Sequence, residues 1–174
     1  GDLSDKNTFL QQIAEAAGVD PEQIIGHDLF LYSRTPGAIW GADRQFISCG
    51  RLDDLQCAYA SLMGLLSADV HSGIAVHCML DNEEVGSSTK QGAASSFLKE
   101  TRTRIGICLG KTQQDYYAML ASSFMLSADN AHAVHPNLPE KADPTNRPAM
   151  NQGIVIKYNA NQKYTTDGVS AAVF

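Results

Sequence analysis

The sequence has no apolar run long enough to cross a membrane and no cluster of basic residues. A membrane-spanning helix needs about 18 or more consecutive apolar residues, which the 174-residue chain does not contain. Lys and Arg together number 13 against 19 Asp and Glu, for a formal charge of -6. Binding to a phosphate backbone requires clustered positive charge. We therefore expect neither a membrane nor a nucleic acid as a partner.

The sequence also lacks a CxxC pair. Its four cysteines stand singly among apolar or small residues, as Cys49, Cys57, Cys78 and Cys108. Scattered cysteines of this kind are more typical of buried free thiols than of disulfides or thiolate metal sites. Free thiols persist in reducing compartments, so we predict a cytoplasmic location.

Hydrophobic periodicity predicts an α/β fold in which helices flank a mostly parallel sheet. The segment GIAVHCML, residues 73–80, is a continuous apolar run of the kind found in buried parallel strands. Helices are predicted over residues 4–17, 20–25, 55–66, 96–99, 113–122 and 168–174. Further strands are predicted over residues 27–33, 46–49, 105–109, 124–127, 154–158 and 163–166, the last two as a hairpin. Residues 35–41 and 130–153 are predicted to be loops.

Acidic residues follow three of the predicted strands. They are Asp53 and Asp54, Glu83 and Glu84, and Asp129. In open α/β sheets, ligands bind at the carboxyl ends of the strands, so we expect these acids to meet at one edge. Converging carboxylates destabilise a fold unless a cation lies among them. The pattern therefore favours a metal site.

Each acidic group also has a simpler interpretation. Asp53 and Asp54 could cap the helix that follows them. Glu83 and Glu84 could form a solvated turn, and Asp129 could cap a turn. These interpretations are weaker for the three groups together, because all three follow predicted strands.

The run DNEEVGSSTKQGAAS, residues 81–95, is the most specific motif. Two adjacent carboxylates can divide the work of metal-assisted hydrolysis, since one can bind the metal while the other accepts a proton from water. Glycines within the run allow tight turns beside the acids. The motif therefore favours a metal-bound water held beside these two acids.

Four segments together resemble the aspartyl aminopeptidase family of metallopeptidases. They are RLDDLQCAY (51–59), DNEEVGSSTKQGA (81–93), SADNAHAVHPN (127–137) and MNQGIVIKYNANQKYTTD (150–167). A related family of deblocking aminopeptidases shares the acid pair and the EEVG stretch but lacks the AHAVHPN segment. Deblocking activity of broader specificity is therefore an alternative, and a non-catalytic, oligomer-forming fragment is a second one.

The resemblance implies a complete set of roles. Asp53 would bridge two zinc ions, Glu84 and Asp129 would each ligate one of them, and Glu83 would be the general base; other divalent transition metals could replace zinc. Asp54 stands where many members carry Asn, and the bond between Asp53 and Asp54 would be cis. The substrates would be peptides with an N-terminal Asp or Glu.

The family also needs one histidine near its N-terminus and another near its C-terminus, and these segments are not found in the chain. We therefore expect the chain to be part of a longer enzyme and to be inactive alone. Residues 1–43 resemble the end of an inserted oligomerisation domain with its return segment, which implies a homo-oligomer. Residues 44–174 would form a partial, zinc-peptidase-like catalytic domain.

Two further residues are candidates for substrate binding. His132 lies beyond the predicted metal ligand Asp129, and nearby prolines disfavour a helix there. The resemblance implies that it contacts a metal ligand or the substrate and is not itself a primary metal ligand. Lys157 either faces outward from an alternating strand or binds the acidic side chain of the substrate.

Overall fold

The computed structural model describes residues 6–161 and 167–174, and the chain divides into two compact units, Gly1–Gly50 and Arg51–Phe174. In the described part of the chain, no helix combines the length and apolar character needed to cross a membrane. The only buried hydrophobic residues recorded among those described are Ala14 and Tyr116. Each unit is therefore held mainly by local structure.

The first unit contains helix α1 (Lys6–Ala17), a 3-10 turn (Pro21–Gln23) and a two-stranded antiparallel sheet. The sheet pairs β1 (Ala38–Trp40) with β2 (Phe46–Ser48). Strand β1 corrects the predicted loop over residues 35–41. It forms because Trp40 lies opposite Phe46 with ring centroids 4.9 Å apart, and such aromatic cross-strand pairs stabilise a hairpin.

Within its described residues, 51–161 and 167–174, the second unit contains four α-helices and a 3-10 turn. They are α2 (Leu52–Ser67), α3 (Phe97–Cys108), α4 (Gln113–Ala121), the turn Pro139–Lys141 and α5 (Gly168–Val173). The predicted helices over 55–66, 113–122 and 168–174 are confirmed. Helix α4 begins at a reciprocal cap, in which Thr112 accepts a hydrogen bond from the Asp115 N–H and Asp115 accepts one from the Thr112 N–H.

The predicted strand over residues 105–109 is wrong, because these residues end helix α3. Gly110 has a φ of 69° and donates its N–H to the Ile107 carbonyl. A left-handed glycine in this position is a common helix C-terminus. The apolar run Ile-Gly-Ile-Cys-Leu fits a strand locally, but the helix that starts at Phe97 continues through it.

The predicted mostly parallel sheet is not found among the described residues, where the only recorded pairing is antiparallel. No ladder includes residues 27–33, 73–80, 124–127 or 154–158. Most of their apolar side chains are exposed, as for Ile74 at 66%, although Leu80 is half-buried. An apolar strand pattern indicates that one segment favours an extended conformation. A β-ladder also needs a neighbouring strand about 4.8 Å away. The predicted strand over residues 163–166 lies outside the described residues.

All four cysteines are free, as predicted. Their predicted burial is wrong, since Cys49 and Cys108 are exposed and Cys57 and Cys78 are only half-buried. Apolar sequence neighbours do not bury a thiol here, because those neighbours are themselves exposed.

Candidate metal centre

The first turn of α2 departs from helical geometry at Asp53 (φ −87°, ψ 111°) and Asp54 (φ −117°, ψ 23°). The peptide bond between them is cis, as the resemblance implies. Arg51, just before them, has a left-handed φ of 63°. Regular helix therefore begins at Leu55, and the two aspartates lie on the irregular turn that precedes it.

Three aspartates from two distant segments meet at this turn. Asp53, Asp54 and Asp129 each offer a carboxylate oxygen, and these oxygens lie within 4.8 Å of one another. Asp54 is half-buried, while Asp53 and Asp129 are exposed. We call these three residues the aspartate cluster.

Two carboxyl groups of the aspartate cluster have pKa values shifted in opposite directions. The pKa of Asp53 is raised above its ordinary value, chiefly by desolvation and then by the neighbouring charges of Asp129, Asp54 and Glu84. The pKa of Asp129 is lowered, chiefly because Lys157 donates a hydrogen bond to it. Asp53 therefore takes up a proton before Asp129 as the pH falls.

Lys157 lies at the edge of the aspartate cluster. Its Nζ donates to Asp129 Oδ2 at 2.6 Å and to the Asn130 carbonyl at 2.6 Å. The side chain of Lys157 is 33% exposed and that of Asp129 49%. The lysine predicted to bind a substrate carboxylate is therefore paired with a carboxylate of the protein itself.

Asn130 was not identified from the sequence as part of a site. Its Nδ2 donates to the Leu52 carbonyl at 2.9 Å, and its Oδ1 accepts a bond from the Cys57 thiol at 3.2 Å. Burial raises the pKa of the Cys57 thiol to about 11, with contributions from Asp54 and Asp129. The thiol is therefore protonated near neutral pH and can donate. The only signal in the sequence is the position of Asn130 directly after an acid.

The 81–95 loop carries Glu83 and Glu84 on a compact scaffold. Asn82 has a left-handed φ of 58°, and its Nδ2 lies 3.2 Å from both Thr89 Oγ1 and Gln91 Oε1. Both glutamates are exposed. Glu84 is not among the three residues whose oxygens converge, although its charge contributes to the raised pKa of Asp53. The predicted roles of Glu83 and Glu84 stay predictions.

The histidines lie apart from these contacts. His132 is exposed, three residues beyond Asp129, and its substrate role stays a prediction. His77 is half-buried, and its Nε2 lies 2.9 Å from Ser61 Oγ. His135 accepts a bond from the Asn137 N–H through its Nδ1.

The donor set fits a divalent cation. The Oδ1 of Asp54 is inaccessible to solvent and has no hydrogen-bond partner among the described residues. A buried carboxylate oxygen without a donor is costly, and zinc accepts carboxylate oxygens as ligands. A cation within the aspartate cluster would satisfy this oxygen and offset the mutual repulsion of the three carboxylates.

Comparison with known proteins agrees with this chemistry. The Aminopeptidase I zinc metalloprotease (M18) family matches residues 2–174. A Clostridium novyi protein named probable M18 family aminopeptidase 2 is 48% identical over 99% of the chain and 40% of its own length. The aspartyl aminopeptidase of Caenorhabditis elegans is 38% identical over 94% of the chain and 36% of its own length.

Solved structures give the same relationship. Yeast aminopeptidase 1 superposes with a TM-score of 0.76 at 31% identity, over 97% of this chain and 40% of that one. The S. cerevisiae mApe1 dodecamer superposes with a TM-score of 0.74 at 32% identity, over 96% and 40%. The chain belongs to the M18 family of zinc metalloproteases, and it spans about 40% of the length of these relatives.

Proposed function

We propose that the protein carrying this chain is a two-zinc aminopeptidase that removes N-terminal acidic residues from peptides. The observation that carries the proposal is the aspartate cluster, in which carboxylates from distant segments converge within 4.8 Å. Membership of a zinc metalloprotease family supports the reaction. The name of the Caenorhabditis elegans relative supports the preference for acidic residues.

In this proposal the ligands come from three parts of the chain. Asp53, Asp129 and Glu84 would hold the two zinc ions. Bound zinc would supply Lewis-acid activation of water and of the scissile carbonyl. Glu83 accepts the proton of the attacking water and returns it to the leaving amine, because one carboxyl group can serve as base and then as acid.

Lys157 has two contacts recorded among the described residues, which leaves one N–H donor for an acidic substrate. A lysine ammonium has three N–H donors, of which two are directed at Asp129 and the Asn130 carbonyl. The third can bind the carboxylate of an N-terminal Asp or Glu. His132 would bind the substrate from the same segment as Asp129.

The proposal extends to assembly and location. A related structure is a dodecamer, and we infer that this protein is also a homo-oligomer. The four free thiols suit the cytoplasmic location predicted from the sequence.

The test compares aminoacyl substrates in the full-length protein before and after metal removal. We expect hydrolysis of N-terminal Asp and Glu substrates, loss of activity with a chelator, and recovery with zinc. Asp53→Asn should lose both zinc and activity, whereas Asp69→Asn, at an exposed aspartate outside the cluster, should keep both.

Other outcomes would favour the alternatives. Faster hydrolysis of neutral than of acidic aminoacyl substrates would indicate a deblocking-type aminopeptidase. Absence of stoichiometric zinc together with absence of hydrolysis would indicate a non-catalytic component of an oligomer.

A further inference from the structure

We propose that Asn130 is a positioning residue that holds Asp129 against Asp53 and so sets the geometry of the metal centre. The inference rests on the proposed function, since it concerns the same centre. It arises from the contacts of one side chain and one carbonyl, which connect three separate segments of the second unit.

Asn130 joins the segment that carries Asp129 to the turn that carries Asp53. Its amide donates to the Leu52 carbonyl at 2.9 Å, and Leu52 directly precedes Asp53. The Asn130 backbone directly follows Asp129. One hydrogen bond therefore limits the separation of the two carboxylates, which belong to segments that share no secondary-structure element.

The orientation of the Asn130 amide is determined by a second contact. Its Oδ1 accepts from the Cys57 thiol at 3.2 Å, one turn into α2 from the aspartates. An amide whose oxygen is bound to a thiol donor must direct its nitrogen the other way. Cys57 thus directs the Nδ2 donor of Asn130 towards Leu52.

The Asn130 carbonyl and the Asp129 carboxylate both accept hydrogen bonds from Lys157. The Nζ of Lys157 lies 2.6 Å from this carbonyl and 2.6 Å from Asp129 Oδ2. The ammonium therefore restricts the rotation of the Asp129 carboxylate relative to its own backbone. Residues that orient metal ligands in this way commonly contribute about 10–100-fold to metal affinity.

The experiment measures zinc affinity of the full-length protein by competition with a chromophoric chelator. Asn130→Ala should weaken zinc binding about 10-fold or more, and Asn130→Asp, which retains the Oδ1 acceptor but replaces the amide donor, should weaken it as well. Cys57→Ala removes only the contact that orients the amide and should have a smaller effect, about two- to fivefold. Asn146→Ala is the matched control, because the hydrogen bonds recorded for Asn146 within the described part of the chain all stay in its own turn.

A second readout does not depend on bound zinc. In the metal-free protein, the side-chain amide resonances of Asn130 should be protected from exchange with water, and Cys57→Ala should reduce the protection. The Cys57 variant also keeps the inference testable if both Asn130 variants fail to fold.

Two outcomes separate this inference from the proposed function. Unchanged zinc affinity in the Asn130 and Cys57 variants, alongside weakened binding in Asp129→Asn, would overturn the positioning role alone. Unchanged affinity in Asp129→Asn as well would overturn the proposed metal centre. Loss of thermal stability without a change in zinc affinity would show that Asn130 is merely structural.

Discussion

The 81–95 loop and the aspartate cluster place carboxylates by different means. In the loop, hydrogen bonds join residues one to nine positions apart, as between Asn82 and Thr89. Beside the aspartate cluster, Asn130 is hydrogen-bonded to Leu52 and Cys57, which lie 78 and 73 residues away. The loop is therefore stabilised within one segment, whereas the cluster depends on the path of much of the second unit.

This difference decides how each region responds to change. Closing a short loop costs little chain entropy, and the cost rises slowly with loop length. The few hydrogen bonds that join the two segments of the aspartate cluster must offset the entropy of closing a longer stretch of chain. Loss of one of these bonds should therefore change the distance between the carboxylates of the cluster. We expect steric changes to destabilise the loop, and we expect the loss of single polar contacts to disturb the geometry of the aspartate cluster.

The largest expected effect separates the roles of the two adjacent glutamates in the loop. In the full-length protein, Glu83→Gln should retain zinc while kcat falls about 10²–10⁴-fold, because a general base is lost. Glu84→Gln should instead weaken zinc at one position, and excess zinc should restore part of the activity. Turnover assays and zinc stoichiometry on both variants make the measurement. Equal zinc loss in the two variants would contradict the division of labour.

A smaller effect is expected at the turn that closes the loop. A Cβ added at the buried Gly92 would collide with the Ser87 carbonyl oxygen. Gly92→Ala should therefore lower the free energy of unfolding by about 1–3 kcal/mol, measured by urea denaturation.

The matched control for the loop is Gly64→Ala in helix α2. An added Cβ there meets nothing within 4 Å, so the variant should be more stable by about 0.5–1 kcal/mol because alanine favours a helix. Equal effects of the two substitutions would mean that the loop is not closely packed.

The smallest effect concerns the ion pair at the cluster. Because Lys157 lowers the pKa of Asp129 below its ordinary value of 3.8, the pair stabilises the fold above that pH. The stabilisation is lost as the pH falls through the lowered pKa. Lys157→Met should raise the pKa of Asp129 and cost less than about 1 kcal/mol near neutral pH, since the pair is partly exposed.

Carboxylate NMR titration of the metal-free protein measures the pKa shift directly. Lys141→Met, at an exposed lysine outside the cluster, is the control and should leave the Asp129 titration unchanged. A pKa of Asp129 that stays low in Lys157→Met would show that another donor holds it.

Much of the local structure was predictable from residue patterns. The helices over 55–66 and 113–122 follow from periodicity and caps, and Phe46–Ser48 from its strand pattern. The prediction of a strand at 105–109 was wrong because a local apolar run does not indicate that a helix begins eight residues earlier. The prediction of a mostly parallel sheet was not met for a related reason, since the pairing of a strand depends on the position of its neighbouring segments and not on its own residues alone.

The sequence by itself determined which chemical groups are present and how short segments fold around them. Residue type and position identified the candidate site residues Asp53, Glu83, Glu84 and Asp129. The resemblance of four segments indicated the family without structural information. Only the tertiary structure decided that Asp54 joins Asp53 and Asp129, that Lys157 pairs with Asp129, and that Asn130 connects the two segments. The physical reason is range: periodicity and capping act over a few residues, whereas these contacts depend on how chain segments more than 25 residues apart are brought together.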